Sequence, residues 1–499
     1  MSTADVEHRT PRVLPGLMLV MLLGALDQTI MSPALPAVAV DLGGLDLMPA
    51  VLTAYLAAAT AVMPLYGKLG DRYGRKPVLL VAIGVFVVGA ALCGTAQAMP
   101  ALLAFRVLQG AGGGGLMIGA QAVIGEVVSP RERGRYLGLL GAAYVVAGVG
   151  GPLMGGLAVD HVTWRWIFAL HPPLGLLAFV VVTRALHLPP PLERPPFDSL
   201  GALTLSTTVL GVVVFSSTVQ QAGPWPAWLA PTAAATTVIA GIAWVWTART
   251  AADPLLPLRL FRDRSFAIPA AISFLVGFAL FGTISYLPAF LQIARGATAT
   301  EAGLVVTVLM AGVITTVTAS GRAIARTGRY KLFPVVGAAL AAVGLALLGS
   351  VDRDVPTAMV LAYLLVIGLG VGLVMQVMVL VAQNGVAYRD LGATTSAVTF
   401  LRQIGASSGV AVVGAVLTAR VTARLPAGAG VDQAALDPER LAQLPAEVRV
   451  GVATAFGEAV PPIFAFVAPL LGLAFLLAIA LPAVPLRSSA HVDTGRTAP

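Results

Sequence analysis

The sequence predicts an all-α polytopic membrane protein, and three observations carry that prediction. The 499 residues are 58% hydrophobic and only 11% charged, more apolar surface than a soluble chain of this length can hide. The hydrophobic residues come in runs of about 20, long enough to cross a hydrocarbon core about 30 Å thick as helices. Basic residues concentrate in alternate loops, as they do on the cytoplasmic side of membrane proteins. That asymmetry also accounts for the net charge of +8. The expected partner is therefore the lipid bilayer, with no nucleic acid. The single Cys93 excludes an intrachain disulfide and a Cys-based metal cluster.

The elements follow in order. Residues 1–12 form a polar tail. The run 13–40 follows it without a small-residue cleavage site, so it reads as a retained first span, not a signal peptide. Runs at 48–69, 78–98, 100–124, 136–158 and 166–186 complete a first group of six. Two more, 200–220 and 228–247, lie between stretches of linker composition. The first of these, His187 to Pro196, is Pro-rich and charged, and Ala248 to Arg264 is similar. The runs 265–292, 301–320, 332–350, 357–382, 394–418 and 459–485 form the last group, so 14 spans are expected. Between the last two, 419–458 reads as a long extracellular loop with a short amphipathic helix near Ala434 to Leu444. Residues 486–499 form a second tail.

Topology follows from charge. One set of loops carries Lys68, Arg72, Arg75 and Lys76, then Arg131, Arg133 and Arg135, then Arg259, Arg262 and Arg264, then Arg322, Arg326, Arg329 and Lys331. The opposite loops carry Asp41 and Asp46, a charge-free stretch from Gln220 to Trp228, and Asp352 with Asp354. Both termini are therefore expected in the cytoplasm, which an even number of spans also requires. Lysine is confined to Lys68, Lys76 and Lys331, a bias toward arginine that suits a high-GC bacterial genome.

The chain also repeats itself at half-molecule scale. GKLGDRYGRKPVLL (Gly67 to Leu80) returns as SGRAIARTGRYKLF (Ser320 to Phe333), with Ala325 in place of the acid. The expected domains are an N-terminal six-helix bundle (13–186), a linker with two extra transmembrane helices (187–264) and a C-terminal six-helix bundle (265–485).

Asp27 is the most informative single residue, because a carboxylate deep in a span is costly and needs a partner. From Val13 it lies about 21 Å into the core at 1.5 Å per residue, and Arg106, entering from the other side near Pro100, reaches the same depth at about 9 Å. Opposite charges at one depth on different helices can pair. A proton on Asp27 would weaken that pair. The other embedded cation is Arg402, beside Gln403, which reads either as a cavity wall or as a side chain snorkelling to the cytoplasm. Glu126 and Glu301 fall at span ends, where solvation explains them. The five histidines (8, 161, 171, 187 and 491) lie in loops or at span ends, and no HExxH is present, so a membrane enzyme is not supported.

These motifs resemble the major facilitator superfamily, and the layout of six, two and six spans is similar to its 14-span drug:proton antiporter branch. Gly67, Asp71, Arg72, Gly74, Arg75 and Lys76 match the family's loop signature. LDQTIMSPALP (Leu26 to Pro36) and RVLQGAGGG (Arg106 to Gly114) resemble its first- and fourth-helix motifs, with Ser32 where an Asn is usual. Gly138 with Gly151, Pro152, Gly155 and Gly156 resembles the fifth-helix antiporter motif, Ala147 replacing one glycine. WRWIF (Trp164 to Phe168) and RQIGASSGVA (Arg402 to Ala411) are typical of the branch. The resemblance implies proton coupling at Asp27 and Arg106. It also implies a gating contact from the 67–76 loop, with Asp71 accepting backbone N–H groups near Thr394 and Thr395. The fifth helix would then seal the outward-facing half, its Pro152 bending it and its glycines forming a close-packing face.

The implied function is drug:proton antiport by alternating access, exporting a small lipophilic, cationic drug or hydrophobic metabolite. The chain would act as a monomer in the bacterial plasma membrane, with protons as the energy source and no cofactor or metal. Export of a lipid or natural product is the alternative, and proton symport is less favoured. Substrate contacts are expected from Gln28, Tyr144, Phe281, Tyr286, Met375, Gln376 and Arg402, with Met378 nearby, because aromatic and thioether surfaces adapt to varied lipophilic cations.

Overall fold

The computed structural model describes residues 10–43, 47–188, 196–220, 226–297, 299–351, 355–424 and 446–486. Among them the regular elements are all helical. In chain order they are α1 Thr10–Ile30, α2 Leu35–Leu42, α3 Met48–Tyr73, α4 Arg75–Thr95, α5 Met99–Val127, α6 Pro130–His161, α7 Arg165–Ala169, α8 His171–Ala185, α9 Ser199–Gln220, α10 Leu229–Thr250, α11 Arg264–Ile284, α12 Leu287–Arg295, α13 Ala299–Thr327, α14 Leu332–Leu348, α15 Thr357–Gly385, α16 Leu391–Thr422 and α17 Ala446–Ile479. Among the described residues, twelve helices are long and apolar enough to cross a membrane, and Ser199–Phe215 and Leu332–Leu348 are shorter apolar helices. The chain is a multi-pass membrane protein.

Three expected spans are broken, the sixth at Leu170 between α7 and α8 and two others where proline interrupts the helix. The run 13–40 is not one helix: after Ile30 a 3₁₀ turn spans Ser32–Ala34 before α2. Pro33 and Pro36 lack the N–H that a continuing α-helix needs. The run 265–292 breaks at Ser285 and Tyr286, just before Pro288 opens α12. These two breaks fall at corresponding places in the two halves, and the loop repeat behaves the same way. Gly74 has φ +95° and donates its N–H to Gly70 O at 3.0 Å, while Gly328 has φ +69° and donates to Ile324 O at 2.7 Å. Both close a helix in a conformation that favours glycine.

At the other end of the C-terminal half, α17 starts at Ala446, so helix occupies part of the segment expected to be a long loop. The amphipathic helix expected near Ala434 to Leu444, and most of both tails, lie outside the described residues.

Helices α9 and α10 form a hairpin whose first helix, α9, packs against α3 and α16. Ser206 donates to Ala61 O at 3.0 Å, and Val209 and Val213 join Ala57 and Ala61 in one apolar cluster. The linker is tied to both halves: Asp253 pairs with Lys68 at 2.5 Å and Arg259 with Asp390 at 2.8 Å.

Candidate functional site

Three groups of residues dominate the core. The first surrounds Asp27, which is 1% exposed although it is ionisable. Arg106 Nη1 donates to both carboxylate oxygens at 2.9 Å. Gln109 Nε2 donates to Asp27 Oδ1 at 2.7 Å, and Gln109 Oε1 accepts from Arg106 at 2.9 Å and from Cys93 Sγ at 3.4 Å. Gln109 lies one turn beyond Arg106 on α5, so both reach the same carboxylate. The guanidinium sits 4.5 Å over the Tyr55 ring and 5.9 Å from the Phe168 ring centroid. Removing one member of a buried pair like this leaves an uncompensated charge, a cost of about 3–5 kcal/mol.

Glycine makes this geometry possible. A Cβ at Gly112 would lie 2.5 Å from Phe86 Cα, and one at Gly110 would lie 2.9 Å from Tyr55 Cα. The glycine run therefore brings the α5 backbone against α3 and α4 and places Tyr55 and Cys93 beside Arg106 and Gln109.

Sequence reasoning missed the fourth member of the cluster. His171 was expected at a span end, but it is fully buried, with Nε2 3.8 Å from Asp27 Oδ1 and the ring edge-on to Phe86. The expected sixth span is α7 and α8 joined at Leu170, so α7 carries the chain inward before His171 opens α8. The WRWIF motif anchors the turn that opens α7. Trp164 Nε1 and Arg165 Nη1 donate to Asp41 Oδ2 at 3.0 and 2.6 Å. Those two hydrogen bonds hold the Asp41 carboxyl below its ordinary value.

The second group joins the halves at the arginine-rich end. Asp71, near the end of α3, accepts N–H bonds from Gly392 at 3.1 Å and Ala393 at 3.0 Å, the first turn of α16. The contact falls two residues before the expected Thr394 and Thr395, because the helix begins at Leu391. Those N–H groups have no partner within the helix, and the helix dipole favours an anion there. Arg75 holds Asp71 at 2.7 Å and Glu126 at 2.6 Å. Glu126, expected to be a solvated end residue, is instead part of this network, its side chain 12% exposed. Gly67 lets α16 approach: a Cβ there would sit 2.7 Å from Gly392 O. Lys76 Nζ donates to Thr183 O at 2.8 Å, and Arg72 lies 5.2 Å from the Tyr73 ring centroid.

The repeat loop makes the complementary contact. Where the second copy has Ala325 instead of an acid, Arg131 of α6 donates to the carbonyls of Ala325 and Arg326 at 3.3 and 3.2 Å. An anion caps the start of one helix and a cation the end of another, each matching the local dipole. Deeper in, Gln383 donates to Gln121 O at 3.4 Å and Thr399 to Gln121 Oε1 at 3.1 Å.

The third group lies along α6 and between the halves. A Cβ at Gly138 would meet Val317 O at 2.8 Å, and one at Gly141 would meet Gln376 Nε2 at 2.9 Å. These contacts join α6 to the C-terminal half and do not continue upward, because Gly148, Gly150 and Gly156 meet open space. Gly151 and Gly155 face α1 instead, where Thr29 and Ile30 sit against them, and Pro152 is exposed within the unbroken helix.

Tyr144 Oη donates to Gln28 Oε1 at 3.2 Å, and Gln28 Nε2 contacts Met117 Sδ at 3.7 Å. Tyr144 and Arg402 are near enough to interact electrostatically across the halves. Arg402 has no hydrogen-bond or ion-pair partner among the described residues. Gln376 is buried, its Oε1 without a partner. Phe281 and Met375 are half-buried against the core, and Met378 is wholly inside it. Tyr286 donates to Val410 O at 2.9 Å within its own half, so it is not brought to the Tyr144 group.

The comparisons with known proteins agree with this architecture. The sequence profile of the Major Facilitator Superfamily matches residues 17–410. The uncharacterized MFS-type transporter Rv1877 of Mycobacterium tuberculosis is 39% identical over 475 residues, covering 93% of this chain and 68% of that protein. The multidrug transporter protein MdtP of Bacillus subtilis is 34% identical over 420 residues, covering 84% and 77%. The human organic anion transporter MFSD10 superposes with a TM-score of 0.63 at 16% identity, over 94% of this chain and 99% of that one.

Proposed function

The chain belongs to the Major Facilitator Superfamily, whose members are transporters and not enzymes, and we propose that it is a proton-coupled drug efflux pump. The efflux reading rests on the relatives. The observation that carries proton coupling is the Asp27–Arg106–Gln109 cluster. It is a titratable acid sealed from solvent at mid-depth, bonded to a cation on a second helix. A proton reaching Asp27 removes the anion that Arg106 binds, and α1 and α5 then lose their strongest polar contact. Discharge on the other side restores it. Protons are the energy source, and no cofactor takes part.

In this reading the chain crosses the bacterial plasma membrane 14 times as a monomer, with both termini and the arginine-rich end in the cytoplasm. The contacts of Asp71 and Arg131 close the cytoplasmic side, and the open space along α6 above Gly141 belongs to an outward-facing state. Exchange with an inward-facing state is alternating access.

Lipophilic cargo would meet Gln28, Tyr144, Gln376 and Arg402 between the halves. Arg402 has no acceptor among the described residues, so cargo carrying a carboxylate or another acceptor group is favoured over a second cation.

The test is efflux of fluorescent drugs from proteoliposomes under an imposed pH gradient. Efflux follows the gradient, and Asp27→Asn abolishes the response while the protein remains folded in detergent. Efflux by Asp27→Asn that still follows the gradient overturns the coupling role.

A further inference from the structure

Resting on that reading of the Asp27 cluster, we propose that His171 is a second proton-binding residue, its Nε2 and the Asp27 carboxylate sharing one proton. His171 Nδ1 lies 2.8 Å from Ile167 O. A carbonyl oxygen can only accept, so Nδ1 carries the hydrogen, and the neutral ring has a bare Nε2. That Nε2 lies 3.8 Å from Asp27 Oδ1 and makes no hydrogen bond. Both residues are buried, at 0% and 1% exposure. Two lone-pair atoms thus face one another in a dry site, an arrangement that costs energy until a proton enters between them.

Among the described residues, the neighbouring elements leave no other proton acceptor at this spot. From α1 comes Asp27 itself. From α5 come Arg106, a permanent cation, and Gln109, whose amide already donates to Asp27 Oδ1. From α3 comes the Tyr55 ring, stacked under Arg106. From α4 come Phe86, edge-on to the imidazole, and Cys93, which donates to Gln109. From α7 come Phe168 and the Ile167 carbonyl. Without the extra proton, Asp27 and Arg106 balance in charge and His171 is neutral. With it, the cluster carries one net positive charge. The proton is held as Nε2–H against carboxylate or as carboxyl O–H against Nε2. The two arrangements form one titration that belongs to the pair.

This has a mechanical consequence. Closing the gap to a hydrogen bond of about 2.8 Å draws α8 toward α1. The cluster can therefore take up a proton without first giving up the bond from Arg106. Proton uptake moves the sixth span, and the sixth span carries the Trp164–Asp41 anchor at its outer turn.

The test uses the full-length protein. ¹⁵N-histidine labelling reads the tautomer and protonation of His171 directly, with the H171Q spectrum assigning its signals among the five histidines. The Nε2 signal titrates in wild type, and its midpoint moves by about one pH unit or more in Asp27→Asn. In proteoliposomes, H171Q is compared with wild type for efflux driven by an imposed pH gradient. Its pH profile of driven efflux moves toward lower pH, because the carboxylate left as acceptor is already engaged by Arg106 and Gln109. A His171 signal that ignores Asp27→Asn overturns the shared site, even if H171Q is inactive in transport. Asp27→Asn uncoupling efflux while H171Q leaves the profile unmoved defeats the histidine alone. Driven efflux surviving in both variants defeats the coupling reading itself.

Discussion

Replacing Asp71 with Asn should open the arginine-rich end of the molecule. The carboxylate accepts from Gly392 and Ala393 and is held by Arg75, with its side chain only 8% exposed. Hydrogen bonds to a charged acceptor contribute about 1.5–3 kcal/mol each. Asn keeps one acceptor oxygen and loses the charge, so about 2–3 kcal/mol of the contact between halves is lost, most of one such bond plus the helix-dipole contribution. At 1.4 kcal/mol per tenfold, the ratio of open to closed states rises about 30- to 150-fold. A state populated at about 1% becomes about a quarter to a half or more of the ensemble. Spin labels at Tyr73 and Arg389, both exposed and on opposite halves, would read this as a second, longer distance in pulsed dipolar spectroscopy. Native Cys93 is buried and should resist labelling in the folded protein. An Asp71→Asn distance distribution identical to wild type would refute the gating argument.

Other consequences are sharper at single positions. Gly138→Ala places a methyl 2.8 Å from Val317 O, so it should cut efflux at least tenfold, whereas Gly156→Ala enters open space and should leave efflux within twofold. Arg402→Gln should weaken transport of carboxylate-bearing dyes about tenfold or more and spare neutral ones, read as a change in KM. The Asp41 carboxyl is held below its ordinary value by Arg165 and Trp164, so its contribution is complete above the ordinary carboxylate range and is lost as pH falls below it. The thermal midpoint of Asp41→Asn should therefore lie below wild type at pH 7, and the two should converge below about pH 4.

How much of this was legible depended on the kind of signal. Helix rise alone paired Asp27 with Arg106, because both lie inside long apolar runs whose entry points are clear. Gln109 was legible in principle, three residues past Arg106 on the same face. His171 was not read as a core residue because it follows the polar-aromatic stretch from Trp164 and looks like a boundary. Yet α7 begins at Arg165, and six residues of helix reach about 9 Å, the depth already assigned to Arg106. Glu126 was misread for the opposite reason. Its position at a helix end suggests water, and only the tertiary approach of Arg75 buries it. The proline breaks at Pro33 and Pro288 were visible as residues, but long apolar runs concealed them as ends of helices.

The Asp27 cluster and the Asp71 gate share two helices, and that sharing makes a quantitative claim. Helix α5 carries Arg106 and Gln109 near one end and Glu126 near the other, about 30 Å apart at 1.5 Å per residue. Helix α3 carries Tyr55 against Arg106 and Asp71 at the gate. Between these ends the glycines of α5 bring its backbone against Tyr55 and Ala59 of α3, so the pair has little room to slide internally. A change at Asp27 that shifts α5 relative to α1 should therefore move Glu126, Arg75 and Asp71 as a unit. Spatial connection alone does not establish coupling, so the claim needs a double-mutant cycle. With the same spin-label pair, Asp27→Asn and Asp71→Asn each change the open fraction, and together they should deviate from additivity by about 1 kcal/mol or more. Additivity within about 0.3 kcal/mol would mean that the proton site and the gate act through separate elements.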